Sequence, residues 1–277
     1  MMSDMVDYRN EPVAYVFADT EAAKARMRLT AEAAGCRIIA ALPVSEGVER
    51  LDAVTPGALI LIEVETEAAV EETILLLDWL QREAGHGRRR GVVSAPMGLI
   101  DLVAASVNHA GIELLCEAEA VERLAAVARA VAPAASRLCD DGGAGSARVQ
   151  QRPPDYSPDP AGPDDLGLIR AMLRARRLRS EHFPADLFAD PAWDILLDLM
   201  SARLERNRVT VSSLCVAAAV PPTTALRWIG LLTERGLLVR VVDSADRRRV
   251  YVGLSDAAAR ALGGWLRQAR RLAEEAL

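Results

Sequence analysis

The sequence predicts two units of different class: an α/β unit, then a smaller α+β unit of helices ending in a two-stranded hairpin. Three observations carry this. Through the first half, short apolar runs alternate with amphipathic stretches, the pattern of repeated strand–helix units. Residues 133–163, PAASRLCDDGGAGSARVQQRPPDYSPDPAGP, are rich in Pro, Gly, Ser, Asp and Ala with almost no apolar periodicity, so they read as a flexible linker. Beyond it, helical periods give way to two alternating runs around an arginine-rich tip. The expected domains of the 277-residue chain are therefore 11–132 and 164–277, joined by the linker.

In the first unit, residues 13–18 (VAYVFA) read as a strand and 21–34 as a helix ended by Gly35. Residues 36–42 are strand-like and 46–54 form a short helix. The clearest buried strand is 58–64 (ALILIEV), followed by a long helix over 67–83. A short strand at 91–94, a helix over 99–110 ended by Gly111, a strand at 112–116 and a helix over 118–131 complete the unit. Five strands that are apolar throughout imply a parallel sheet covered on both faces. The expected fold is flavodoxin-like and doubly wound, with any ligand site at the carboxyl ends of the strands.

The second unit opens with an arginine-bearing helix over 166–179. A helix over 191–206 follows, with Asp190 as N-cap and Pro191 in its first turn. Next come a short helix capped by Ser212 or Ser213, a turn through Val220, and a helix started by Pro221-Pro222. Ala217, Ala218 and Ala219 are small enough for the two helices to cross closely. In the second of them Ala225, Trp228, Ile229 and Leu232 recur at i, i+3, i+4 and i+7, which predicts the core face. Thr223, Leu226 and Arg227 fall opposite, with Thr224 and Leu231 near the margins. Gly236 ends the helix. Residues 237–242 and 249–254 pair as a hairpin, and a last helix starts at Ser255 or Asp256 and runs to 275.

Helix, turn, helix and hairpin in this order are the sequence form of a winged helix-turn-helix, which sets its second helix into the DNA major groove. Arg227 can then donate both forks to a guanine, or simply bond a phosphate. Thr223 or Thr224 can bond phosphate or base, and Leu226 can touch a thymine methyl. Arg247, Arg248 and Arg249 at the hairpin tip suit a narrow minor groove, with Asp243 and Asp246 able to orient them.

Charge agrees with this division. The chain carries a net −6, but residues 164–277 hold 18 arginines against 14 carboxylates, a net +4, leaving −10 for the rest. Such asymmetry fits a regulatory unit joined to a nucleic-acid module. Lys24 is the only lysine, a bias that lessens what arginine abundance means by itself. No run is apolar enough to span a membrane, and the N-terminus MMSDMVDYRNEP lacks a signal-peptide pattern, so a cytoplasmic location is expected. Cys36, Cys116, Cys139 and Cys215 are too scattered for a zinc site or a CxxC, and read as reduced, buried thiols. A redox role for Cys116 or Cys139 is the other reading. His86, His109 and His182 are isolated, so neither a metal site nor catalytic residues are expected. No GxGxxG follows the first strand, and no cofactor is expected.

The run ERGLLVRVVDSADRRRVYVGLSDAA resembles the wing of the MarR family of bacterial transcription regulators: Gly-Leu after the recognition helix, Asp-x-x-Asp-Arg-Arg, then Leu-Ser before the last helix. The resemblance covers about 209–259 without obvious gaps. It implies a homodimer built from the flanking helices 166–179 and 256–275, binding a palindromic site on double-stranded DNA. Leu226 and Leu231 depart from the family by being apolar where exposed polar residues are commoner. They point to a protein partner or an unusual base contact.

The first unit resembles a response-regulator receiver domain, in spacing more than in identity. The resemblance puts Glu63 of ALILIE at the phospho-acceptor position, Ser94 of GVVSA at the hydroxyl position and Cys116 of AGIELLCEA at the lysine position. Of the acidic pair after the first strand only Asp19 remains, with Ala18 at the other place. Aspartyl phosphorylation needs a carboxylate nucleophile, an acidic cation site and a cation on the fifth strand. The expectation is a pseudo-receiver used for dimerisation or for docking a protein partner, with a ligand or redox sensor as the other reading. Together these readings predict a regulator, not an enzyme. The alternative is a winged-helix adaptor that binds protein and not DNA.

Overall fold

The computed structural model describes residues 11–107, 109–132, 163–182, 190–243 and 250–275. The chain divides into two compact units, Met1–Leu99 with Ser106–Asp141, and Ile100–Ala105 with Gly142–Leu277. The linker expected at 133–163 lies outside the described residues apart from Pro163, and so does Cys139.

Five parallel strands build the sheet of the α/β unit: β1 (Val13–Ala18), β2 (Arg37–Pro43), β3 (Leu59–Glu63), β4 (Arg90–Ala95) and β5 (Ile112–Cys116). Their order is β2-β1-β3-β4-β5, so the chain runs to one edge and then reverses past β1. Helices α1 (Glu21–Ala33), α2 (Val44–Glu49), α3 (Val70–Gly85), α4 (Ile100–Ser106) and α5 (Ala120–Val131) alternate with the strands. The interior strands are buried along nearly their whole length, because helices cover both faces; the edge strand β2 is only partly covered. Met27 of α1 and Val127 of α5 pack on Val16, Leu61, Val92 and Leu115 on one face of the sheet.

Local chemistry sets the helix ends. Thr20 caps α1 by accepting from the Ala23 amide at 3.1 Å, and Gly35 takes the left-handed φ of +79° that turns the chain into β2. Glu119 and Glu122 form a reciprocal capping box on α5. Among the helices shorter than periodicity predicts, α3 and α4 show why. α3 starts at Val70 instead of residue 67, since Asp19 holds the Glu65 and Thr66 amides and the Thr66 hydroxyl accepts from Ala68. α4 stops at Ser106, four residues before the expected end. There His109 Nδ1 accepts from the Gly111 amide at 2.9 Å and its own amide donates to Gln81, a turn that competes with a further helical turn.

The second unit runs α6 (Pro163–Leu178), α7 (Pro191–Leu204), β6 (Val209–Thr210), α8 (Val211–Ala217), α9 (Pro222–Glu234), β7 (Leu238–Val242), β8 (Val250–Leu254) and α10 (Asp256–Glu275). The predicted order of helix, turn, helix and hairpin is present. A strand not expected, β6, joins the hairpin to make an antiparallel sheet in the order β6-β8-β7. Asp190 caps α7 through the Trp193 amide as expected. The cap of α8 is Thr210, whose Oγ1 accepts from the Ser213 amide at 3.2 Å, and not Ser212 or Ser213. Thr210 wins because it ends β6 in an extended conformation (φ −83°, ψ 164°), as an N-cap requires. Ser255 caps α10 by accepting from Ala258. Ion pairs of Arg270 with Asp165 and of Arg176 with Asp194 link α10 to α6 and α6 to α7, and Trp265 of α10 meets Trp193 of α7 edge-on at 4.7 Å. No single helix among the described residues is long and apolar enough to cross a membrane.

Candidate nucleic-acid interface

The turn between α8 and α9 is tight. Ala219 adopts a left-handed φ of +53°, and Pro221 then leads Pro222 into the first turn of α9, where a missing N–H costs nothing. The buried residues of α9 are Thr223, Ala225, Leu226, Ile229, Leu232 and Thr233. Three of the four predicted core positions are therefore inside, but Trp228 is half-buried on the margin. Two expectations are corrected. Leu226, predicted on the outward face, is 4% exposed, and Thr223 is 6% exposed. The reason is that Thr223, Leu226, Ile229 and Thr233 form a second stripe beside Ala225, Ile229 and Leu232, so the apolar face is broader and rotated from the one read in sequence. The Thr233 hydroxyl tolerates this by donating to the Ile229 carbonyl at 2.6 Å.

The outward face of α9 carries Arg227 and Glu234, both exposed, with half-buried Thr224, Trp228 and Leu231. Arg227 forms no ion pair among the described residues, so its guanidinium is available to a partner. Thr224 lies one residue past Thr223 and, unlike it, reaches the surface. Arg247, Arg248 and Arg249, with Asp246, lie outside the described residues.

A second feature, missed in sequence, sits at the base of the hairpin. The exposed Arg208 places its guanidinium carbon 5.2 Å from the centre of the Tyr251 ring on β8. The Tyr251 hydroxyl donates to Asp243 Oδ2 at 3.0 Å, closing the hairpin just inside its tip. The only sequence signal was the β-branched pair Val209-Thr210, too short to read as a strand.

In the α/β unit, parallel register sets Ala18, Glu63 and Ser94 side by side at the carboxyl ends of β1, β3 and β4, with Cys116 opposite Ala95 one step further. The four predicted residues of this end thus share one edge of the sheet, but three charged residues that sequence reasoning missed dominate it. Arg26 of α1 donates from Nε at 2.9 Å and Nη2 at 2.8 Å to Glu63 Oε1, and from Nη2 to Glu65 Oε1 at 2.5 Å. Arg123 of α5 adds a second positive charge. Glu63 is 3% exposed, and its Oε2 is buried with no hydrogen-bond partner. Burial pushes the Glu63 carboxyl above its ordinary value, opposed by hydrogen bonds and charge from Arg26. Glu65 is held below its ordinary value by hydrogen bonds from Thr20 and then Arg26. Burial works against the Arg26 charge, yet its hydrogen bonds to Glu63 and Glu65 prevail and its pKa is raised. Asp19 accepts from the amides of Glu65 and Thr66 and from the Thr66 hydroxyl, which commits it to holding a loop. Burial, with the charge of Glu117, pushes the Cys116 thiol up to about 12, far from the thiolate that redox chemistry needs.

At the opposite edge of the sheet, Val13, Leu59, Arg88 and Val131 line a cavity of about 280 Å³. Its other arginines are used structurally: Arg89 donates to the Val54 and Thr55 carbonyls, and Arg90 to those of Ala130 and Ala132. Among the described residues, no three His, Cys, Asp or Glu side chains gather as a metal site.

No protein-family model matches the sequence, and no curated protein matches it. Among solved structures similar to part of it are those of a DNA-binding protein and a repressor. BpsR of Bordetella bronchiseptica, described by its DNA binding and the regulation of that binding by 6-hydroxynicotinic acid, is 25% identical over 39% of this chain and 79% of its own, with a TM-score of 0.24. The adhesin competence repressor AdcR of Streptococcus pyogenes is 19% identical over 41% of this chain and 84% of its own, with a TM-score of 0.22.

Proposed function

We propose that the chain is a bacterial, cytoplasmic DNA-binding transcriptional regulator of the MarR-like winged-helix kind. The observation that carries this is the outward face of α9: a helix started by proline out of a tight turn, with Arg227 exposed and unpaired among the described residues, followed at once by a hairpin whose tip sequence is Arg247-Arg248-Arg249. Such a helix presents its N-terminal half to base edges, and a neighbouring basic loop can follow the backbone into the minor groove. Thr224 and Arg227 are the base-reading pair in this scheme. Thr223 helps by packing the helix start against its own unit.

The dimer would form through α6 and α10, which are already tied by Arg270 and Asp165 and expose Leu178 and Leu272. Two recognition helices about 34 Å apart would then read the halves of a palindrome. Sedimentation tests the dimer. The α/β unit is read as a flavodoxin-like pseudo-receiver that works without phosphorylation, as a regulatory or protein-docking module. Supporting this, Cys116 stands where a lysine would hold phosphoryl oxygens, and Glu63 is buried with one oxygen, Oε1, held by Arg26. Incubation with acetyl phosphate is expected to leave the intact mass unchanged.

The adaptor reading rests on Leu226 and Leu231 together and on the net −6 of the chain. Burial of Leu226 removes one of the leucines, leaving Leu231, that charge and the 74%-exposed Val216 as its support. The deciding experiment is capture of source-genome fragments by the full chain over a range of salt. Specific, salt-sensitive binding is expected, and its absence on every fragment would sink the regulator reading.

A further inference from the structure

We infer that Arg208 is a DNA-phosphate contact held ready by Tyr251, a positioning pair at the base of the hairpin that extends the basic track beyond the tip. This rests on the DNA-binding reading above. Antiparallel register pairs Val209 with Val252 and Thr210 with Tyr251, so Arg208 falls opposite Gly253, where no side chain competes for that face of the sheet. The side chains of β8 alternate: Val250, Val252 and Leu254 point into the core, and Tyr251 stands on the outer face. Arg208 therefore reaches diagonally to the Tyr251 ring, at 5.2 Å.

The chemistry of the pair favours a phosphate. A guanidinium against an aromatic ring uses its flat face, while its N–H donors spread from its edge in a fixed fork that matches two phosphate oxygens. Among the described residues Arg208 makes no hydrogen bond or ion pair, so this fork is unspent. A long, exposed arginine just before a strand would ordinarily lose much rotamer freedom on binding; the ring removes part of that loss beforehand. Tyr251 is itself fixed by its hydrogen bond to Asp243, which stands on the opposite strand at the start of the tip. The same residue thus orients the arginine and closes the loop that carries Arg247–Arg249. Because a backbone contact reads no bases, Arg208 contributes equally on any duplex, unlike Arg227.

The test uses the full chain, a duplex recovered by the wild type from its source genome, and a random-sequence duplex, each titrated from low to high salt. Arg208→Ala is expected to lower the slope of log affinity against log salt by about 0.9 on both duplexes, and to weaken binding about fivefold near physiological salt. Tyr251→Leu, which removes the ring, should reproduce most of that loss, and combining the two should add little. Tyr251→Phe keeps the ring and should keep the slope. Arg37→Ala removes one exposed charge from β2 of the other unit and should leave the slope unchanged. Melting temperature separates lost contacts from lost fold. If the wild type binds and Arg208→Ala keeps its slope and affinity, or if Arg37→Ala loses as much, the inference is overturned and the DNA-binding reading stands. If the wild type binds neither duplex, both are overturned.

Discussion

The carboxyl edge of the parallel sheet and the outward face of α9 both gather charged side chains, but they dispose of them in opposite ways. At the sheet edge Arg26, Glu65 and Asp19 are spent on internal partners, and Oε2 of Glu63 is buried among them without one. Arg26 bridges Glu63 and Glu65, Thr20 binds Glu65, and Asp19 holds the loop after β3. Among the described residues, Arg227 on α9 is exposed and unpaired, and Arg208 at the hairpin base makes no hydrogen bond or ion pair and lies over an aromatic face. A site that resembles a known reactive centre in spacing has closed on itself. A site with little more than a pattern of faces leaves its donors without an internal partner among the described residues. Chemical likeness at a position is thus a poor guide unless the hydrogen-bond partners are known.

Five substitutions break or sharpen this contrast. The largest effect is expected for Leu226→Ala, because Leu226 belongs to the core of α9: a loss of about 3 kcal/mol in calorimetric or urea unfolding, against less than about 1 kcal/mol for Leu231→Ala. Equal, small losses would return Leu226 to the outward face. Next is Arg26→Ala, about 2 kcal/mol, since it strands a buried carboxylate while being itself partly exposed. Its pH dependence follows from the raised Glu63 value. Below about 4.5 Glu63 is protonated folded and unfolded alike, and the variant loses little. As pH rises through the folded value, the unpaired charge must be buried, so the loss is expected to be larger at pH 8 than at pH 5.

Arg227→Ala should act in the opposite sense. Stability should stay within about 0.5 kcal/mol of wild type, while affinity for the selected duplex falls about tenfold, some ~1.4 kcal/mol, and discrimination against random duplex narrows. A retained preference would remove Arg227 from base reading. The smallest effect is expected for Glu65→Gln. Its carboxylate is held below the ordinary value, so its contribution is present above about 4.5 and lost as pH falls through the folded value. Solvent screening limits it to about 0.5 kcal/mol near neutrality. A loss as large as that of Arg26→Ala would mean that Glu65, not Glu63, is the main partner of the arginine.

Much of the fold was legible because burial writes itself in runs. Residues 58–64 read as a strand since a sheet covered on both faces needs apolar residues at every position, and β3 is buried throughout. Gly35, Asp190 and Gly236 marked helix ends by their own backbone and capping chemistry. What stayed hidden depended on partners distant in sequence. Arg26 sits in the run Lys-Ala-Arg-Met-Arg with nothing to single it out, and only folding brings it within 2.9 Å of Glu63, 37 residues away. β6 is two residues long and exists because β8 offers it a ladder. The rotation of the α9 face came from two threonines: Thr223 and Thr233 count as polar in a periodicity reading, yet both are inside. The outward position of Arg227 was nevertheless correct: it lies one helical turn from Thr223, at the margin of the buried stripe, and its side chain is exposed.

Asp19 offers a clock. Its single carboxylate takes the amide protons of both Glu65 and Thr66, at 3.0 and 2.6 Å, across a gap of more than forty residues. Those two amides lie in an exposed turn where solvent would otherwise trade their protons quickly. They are expected to exchange only when the end of β1 parts from the loop after β3. Their deuterium uptake therefore measures how often the front of the sheet opens, and anything that docks there should slow it.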